Sequence, residues 1–151
     1  MSHSDLPIYK LINDLNLKLN KKIAFSDLKQ ELTKKNENNE PFYQLNLKEN
    51  EDLALIYHNE FQGKKENKTS NNPELEQSCR SLIMDKNKLQ PIGSQYNRII
   101  YNSEAKEILM KSDWNRVVIQ KCYEGTIILV FNHNNVWYVT TRRCINSEES
   151  T

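Results

Sequence analysis

Between Asp52 and His58 the chain reads Asp-Leu-Ala-Leu-Ile-Tyr-His, with Leu53, Leu55 and Tyr57 on one parity and Ala54 and Ile56 on the other. Successive side chains of a strand point to opposite faces, so apolar residues on both parities describe a strand covered on both sides. The segments around it divide by period. From Pro7 to Leu19 the residues Ile8, Leu11, Ile12, Leu15 and Leu19 recur at three- and four-residue steps, which predicts an amphipathic helix, with Asp5 placed to cap it. A second helix is expected from Ser26, with the Ser26 hydroxyl as cap, Phe25 as staple and Leu28 and Leu32 as the inner stripe, fraying at Lys34-Lys35-Asn36. Asn36 to Pro41 is a polar connector.

Beyond residue 78 the texture turns to short strands. Ser81 to Met84, a turn over Asp85-Lys86-Asn87-Lys88, Leu89 to Gly93 and Arg98 to Tyr101 carry strand patterns. Ser103 is placed to cap a helix through Met110 with Ala105, Ile108 and Leu109 inward. A three-stranded meander is expected at the end, over Arg116 to Lys121, Thr126 to Phe131 and Val136 to Arg142. Its corners fall at Glu124-Gly125 and Asn132-His133-Asn134-Asn135. Glu60 to Ser78 holds only Phe61 and Leu75 as strongly apolar residues, too few to offset ordering entropy, and reads as a mobile loop. The expected architecture is therefore α+β: a helical lead over residues 1–40, then a β-rich domain over 41–151 with a mobile loop at 60–78.

Composition excludes several classes. No apolar run approaches the roughly 20 residues needed to span a bilayer, and Met1-Ser2-His3-Ser4-Asp5 has no signal-peptide pattern, so a cytoplasmic location without membrane contact is expected. Lys and Arg number 21 against 20 Asp and Glu, so a polyanion site would have to be a local patch. Cys79, Cys122 and Cys144 lack metal spacing, and His3, His58 and His133 are scattered, so no metal site is expected on protein ligands alone. Only three glycines, Gly63, Gly93 and Gly125, leave no glycine-rich phosphate loop.

The corner Lys121-Cys122-Tyr123-Glu124-Gly125-Thr126 gathers an amine, a thiol, a carboxylate and one of those glycines between two apolar segments. Read locally, this is a hairpin corner whose Lys121 and Glu124 face water; the functional alternative is that partial desolvation lowers the amine's pKa and makes it a nucleophile, with glycine permitting positive φ or close approach of a ligand. A buried, inert thiol is the expectation for Cys122. Trp114, Trp137, Tyr138 and Phe131 read as core packing or as a base-stacking platform, with packing preferred.

The order Cys79-Arg80-Ser81-Leu82-Ile83-Met84-Asp85, then Tyr96-Asn97-Arg98-Ile99-Ile100-Tyr101-Asn102, then the corner, then Trp137-Tyr138-Val139-Thr140-Thr141-Arg142-Arg143 resembles the first half of the nucleotidyltransferase domain of the phage T4 RNA ligase family. That family belongs to the covalent nucleotidyltransferases, and a viral source would fit the motif order. The resemblance implies an ATP-dependent adenylyltransferase, as a fragment or degenerate paralogue, using ATP and a divalent metal such as Mg with RNA as partner. It implies Lys121 as the catalytic nucleophile and Arg80, Glu124, Gly125 and Arg142 as nucleotide-binding residues. The chain departs from the family pattern where Lys121 lies one residue early relative to Glu124-Gly125, Glu124 replaces an aspartate, and Ser81 replaces the glycine of Cys-Arg-Gly. The later motifs have no counterpart before Thr151. The alternative is a non-catalytic module that binds nucleic acid or protein, whose open sheet edge favours self-association or a partner chain.

Overall fold

A computed structural model describes residues 6–58, 71–95, 100 and 102–149. Four helices and six strands follow in the order α1 (Pro7–Leu19), α2 (Phe25–Leu32), β1 (Leu45–Glu49), β2 (Leu53–His58), α3 (Pro73–Ser78), β3 (Leu82–Asp85), β4 (Gln90–Gly93), α4 (Asn102–Lys111), β5 (Leu129–His133) and β6 (Val136–Thr140). The fold is α+β, helices first and then sheet. Strands β1 to β4 form one antiparallel sheet in chain order, and β5 and β6 form a separate hairpin.

The doubly apolar pattern of β2 has a direct structural meaning. Leu53, Leu55, Ala54 and Ile56 are all fully buried. Ile56, with Leu82 and Met84 of β3, joins Ile8, Ile12 and Leu15 of α1, Leu28 and Leu32 of α2 and Leu75 of α3 in one core. Leu53 and Leu55, with Ile83, join Ile145 and the hairpin residues Leu129, Phe131 and Tyr138 in a second core on the opposite face. The sheet is thus the middle layer between helices and hairpin.

Helix α1 spans the predicted residues and ends where Asn20 takes φ 49°, its backbone N–H and that of Lys21 donating to the Leu17 and Asn16 carbonyls. The predicted cap Asp5 lies outside the described residues, and Leu6 occupies the cap position without a side-chain hydrogen bond. Helix α2 corrects the expectation at its start. Ser26 is inside the helix, Ala24 is the cap residue, and the Asp27 carboxylate accepts from the Ala24 N–H at 2.9 Å.

Other expectations also change. β1 was hidden in sequence because only Leu45 and Leu47 are apolar, and the strand ends in Lys48 and Glu49 at the sheet edge. Residues 73–78, inside the expected mobile loop, form α3, which starts at Pro73 and is capped by Asn72 Oδ1 accepting the Leu75 N–H at 3.0 Å. Residues 60–70 lie outside the described residues, as do Arg98, Ile99 and Tyr101 of the expected strand there. α4 forms over the expected stretch with Ser103 inside the helix rather than capping it, but none of its residues is buried, and Ile108 and Leu109 are exposed rather than inward. No helix among the described residues is long and apolar enough to cross a membrane.

The chain is short of glycine and uses asparagine instead. Among the described residues seven non-glycine positions have positive φ, and five of them are Asn20, Asn39, Asn102, Asn134 and Asn135. Asparagine tolerates the left-handed region at lower cost than most side chains. Asparagine therefore supplies most of the left-handed non-glycine positions among the described residues. The layered packing predicts the mutational response: Leu55→Ala should cost about 2–5 kcal/mol as a core truncation, and Leu109→Ala within about 0.5 kcal/mol as a surface change. Equilibrium urea unfolding of the two variants measures the contrast, and equal losses would contradict it.

Candidate functional site

The segment that leads into β3 is held from several directions. The His58 N–H donates to the Cys79 carbonyl at 2.8 Å, fixing Cys79 beside the end of β2. Cys79 is fully buried, and burial pushes its thiol up to about 12, with the Ser78 hydroxyl opposing and the Glu76 charge adding to the shift. Ser81, also fully buried, has φ 60° and donates its Oγ hydrogen to the Arg142 carbonyl at 2.8 Å. This bond ties the Arg80-Ser81 turn to the segment following β6. Arg80 and Arg142, both half-buried, therefore lie on adjacent stretches of chain.

β3 ends on Asp85, which is buried. Its Oδ1 accepts from the Asn87 and Lys88 N–H groups at 2.8 Å each, closing the turn to β4. Its Oδ2 lies 3.3 Å from His133 Nε2 and 3.9 Å from Lys88 Nζ. His133 is the last residue of β5, and Asn134 and Asn135 follow with φ 51° and 62°, the backbone of a tight hairpin turn whose twist matches its strands. His133 thus sets the hairpin tip over the end of β3, with its buried Nε2 close to Asp85 but making no hydrogen bond there. Sequence reading misses this pair because 48 residues separate its members; proximity comes only from the layering.

The predicted corner sits differently. Residues 117–128 form no strand, and a 3-10 turn at Trp114–Arg116, capped by Asp113 accepting the Asn115 N–H, precedes them. The expected three-stranded meander is a two-stranded hairpin, because Arg116 to Lys121 finds no ladder partner among the described residues and β-propensity without one is weak. Lys121, Cys122, Tyr123 and Glu124 are all exposed, which corrects the expectation of a buried Cys122. The Lys121 ammonium lies over the Tyr123 ring, 5.1 Å from its centroid. Gly125 has φ 151°, favourable only to glycine, and a Cβ built there would meet nothing within 4 Å. Glycine meets a backbone requirement at this corner. The structure therefore brings Arg80 and Arg142 together through Ser81 and places Lys121, Glu124 and Gly125 on an open stretch.

The aromatic residues divide. Phe131 and Tyr138 stack at 5.2 Å between centroids on the hairpin's inner face, as core packing. Trp114 and Trp137 are exposed, at 62% and 71%. Val130 and Val139 pair across the hairpin's outer face, with Trp137 opposite Asn132 on the same face. A cavity of about 370 Å³ opens beside β6, lined by Asn50, Trp137, Tyr138, Val139, Ile145 and Asn146.

No family model matches this chain, and neither does any curated protein or solved structure.

Two measurements check this geometry. Ser81→Ala should destabilise by about 1 kcal/mol by losing the bond to Arg142, whereas Ser81→Gly should cost less because glycine relieves the left-handed backbone by about 1 kcal/mol. Equal losses on thermal unfolding would contradict the assigned φ. In the native protein at pH 8, Cys122 should react at once with a disulfide reagent and Cys79 only on unfolding. Because the folded thiol of Cys79 titrates above its ordinary value, its contribution to stability is complete below that value and is lost as pH rises toward 12.

Proposed function

We propose that this chain is a non-catalytic interaction module that self-associates through the free edge of β6. The observation that carries this reading is the unguarded state of that edge. Soluble sheets blunt their edges with charge, proline or cover. β1 ends in Lys48 and Glu49, and β4 contains Pro91. β6 reads Val-Trp-Tyr-Val-Thr with no charge and no proline, and it pairs on one side only among the described residues.

Apolar exposure supports the same reading. Trp114, Val118, Ile119, Tyr123, Ile128, Val130, Trp137 and Val139 are each at least 40% exposed, Ile119 at 86%. At the areas such side chains bury, these expose on the order of 1,000 Å² along 114–139, comparable to the ~800 Å² that one partner contributes to a standard interface. Two copies of β6 laid antiparallel satisfy each other's edge N–H and C=O groups and bring Trp137 and Val139 of both onto shared faces, an isologous arrangement. A net charge of +1 offers little repulsion against it. The test is sedimentation equilibrium over a range of concentrations, with Trp137 emission read in parallel. A dimer is expected, weakened about thirtyfold or more by Trp137→Lys if this residue supplies a hot-spot contribution of about 2 kcal/mol. A monomer throughout, or a dimer indifferent to Trp137→Lys and Val139→Lys, would refute the reading.

A second reading retains the RNA-ligase resemblance: an ATP-dependent adenylyltransferase fragment or degenerate paralogue with RNA as its partner. It is favoured by the left-handed backbone of Ser81, at the position where the family pattern has glycine, and by the bond that joins Ser81 to Arg142. As folded, Lys121 and Glu124 face solvent and Gly125 fronts open space, so these residues form no cradle for ATP. Among the described residues no group of three metal-ligating side chains stands ready for a divalent ion. Incubation with labelled ATP and Mg separates the readings: label on the wild type and on Cys122→Ala but not on Lys121→Ala supports the adenylyltransferase. Unlabelled protein in every case removes it.

A further inference from the structure

The Lys48 ammonium lies 3.6 Å from the Cys144 sulfur, a pairing of residues 96 positions apart. Lys48 belongs to the edge strand β1 and sits opposite Leu55 in the register, so it faces the hairpin side of the sheet. Cys144 is buried and lies in the turn after β6, where its carbonyl accepts the Thr141 N–H at 3.0 Å. The three cysteines thus occupy three different environments. Cys79 is sealed in the helix-side core with its thiol held protonated, and Cys122 stands in solvent. Cys144 alone has a lysine amine at its sulfur among the hydrogen bonds described.

We propose that Lys48 and Cys144 form a reversible covalent redox bridge, a sulfenamide, when the protein meets a peroxide. The thiolate is the reactive form of a cysteine, and the Lys48 amine stands within contact of the Cys144 sulfur. In the first step the thiolate sulfur attacks one peroxide oxygen. The S–O bond forms as the O–O bond breaks, sulfur is oxidised by two electrons, and the second oxygen takes a proton from the Lys48 ammonium and leaves as water, giving the sulfenic acid beside a neutral amine. In the second step the neutral amine of Lys48 attacks that sulfur. The N–S bond forms, the S–O bond breaks, and the hydroxyl leaves as water with a proton from the nitrogen. The net change consumes one peroxide, releases two waters and removes two hydrogens from the protein. A thiol reductant reverses it by exchange at sulfur.

The position gives the bridge a consequence. It would tie the turn after β6 to the sheet's outer strand, beside the cavity formed by Asn50, Ile145 and Asn146 with Trp137. This chemistry depends on the Lys48–Cys144 contact and not on self-association.

The test uses the full chain carrying Cys122→Ser, which removes the exposed competing thiol, treated with an excess of hydrogen peroxide and read by intact mass and peptide mapping. The expected result is a loss of two hydrogens and a peptide containing residue 48 joined to one containing residue 144, released by dithiothreitol. Lys48→Arg keeps the charge at an exposed position and should abolish the joined peptide while Cys144 proceeds to sulfinic acid. Because Cys144→Ser alters a buried site, Lys48→Arg is the deciding variant, with its fold checked by near-ultraviolet circular dichroism. Sulfinic acid at Cys144 in the parent protein with the residue 48 peptide unchanged would overturn the proposal. So would a Cys79–Cys144 disulfide, which removes the same two hydrogens but maps to different peptides.

Discussion

The burial of β2 on both faces is the constraint from which the rest of this structure follows. A strand covered on one side can be served by helices alone, but Leu53 and Leu55 on one parity and Ala54 and Ile56 on the other need two separate covers. The helices α1, α2 and α3 supply one and the β5–β6 hairpin with Ile145 supplies the other. Each cover is then fixed by polar contacts at its margin. Lys29 and Lys86 both pair with Glu49, linking α2 and the β3–β4 turn to the edge strand. On the other face His133 meets Asp85, and Ser81 reaches the Arg142 carbonyl. These margin contacts are individually modest, yet they decide where the hairpin sits, and so where its edge and its outer face are displayed.

The two covers differ in completeness. The helix side is closed: Ile8, Leu28 and Leu75 are almost wholly buried, and Tyr43 adds a hydroxyl bonded to Glu31 at 2.8 Å. That phenol is held protonated far above its usual range, first by burial and then by the bond to Glu31. The hairpin side closes only inward. Phe131 and Tyr138 pack on the sheet, while Val130, Trp137 and Val139 face away from it, and α4 and residues 117–128 contribute further exposed apolar side chains. The asymmetry leaves the apolar exposure of this chain concentrated on the hairpin side.

The segments of this chain that resemble the RNA ligases in sequence fold differently from one another, and the physical reasons are separable. The Cys79-Arg80-Ser81 segment and Arg142 are drawn together because both flank strands of adjoining layers, and a glycine-like backbone at Ser81 makes the turn. The corner at Lys121 to Gly125 has no such support. A strand needs a neighbour to satisfy its backbone, and Arg116 to Lys121 has none among the described residues. Without that neighbour the one-residue offset of Lys121 from the family spacing becomes immaterial, because the side chain is in solvent on either parity.

Local pattern by itself determined the periodic elements. The three- and four-residue steps of Ile8 to Leu19 specify α1, the double apolar parity of residues 53–57 specifies a sandwiched β2, and the run from Phe131 through Asn134-Asn135 to Tyr138 specifies a hairpin, because helix and strand periods and left-handed turn residues are written in neighbouring positions. Tertiary structure alone decided what depends on distant partners. It paired β1, whose two leucines are too few to announce a strand, and it ordered residues 73–78 by burying Leu75 and Glu76. It left Ile108, Leu109 and Trp137 exposed although their sequence suits a core, and it set His133 against Asp85 and Lys48 against Cys144. Amphipathic pattern states that a face is apolar; only the presence or absence of a packing layer determines whether that face is covered.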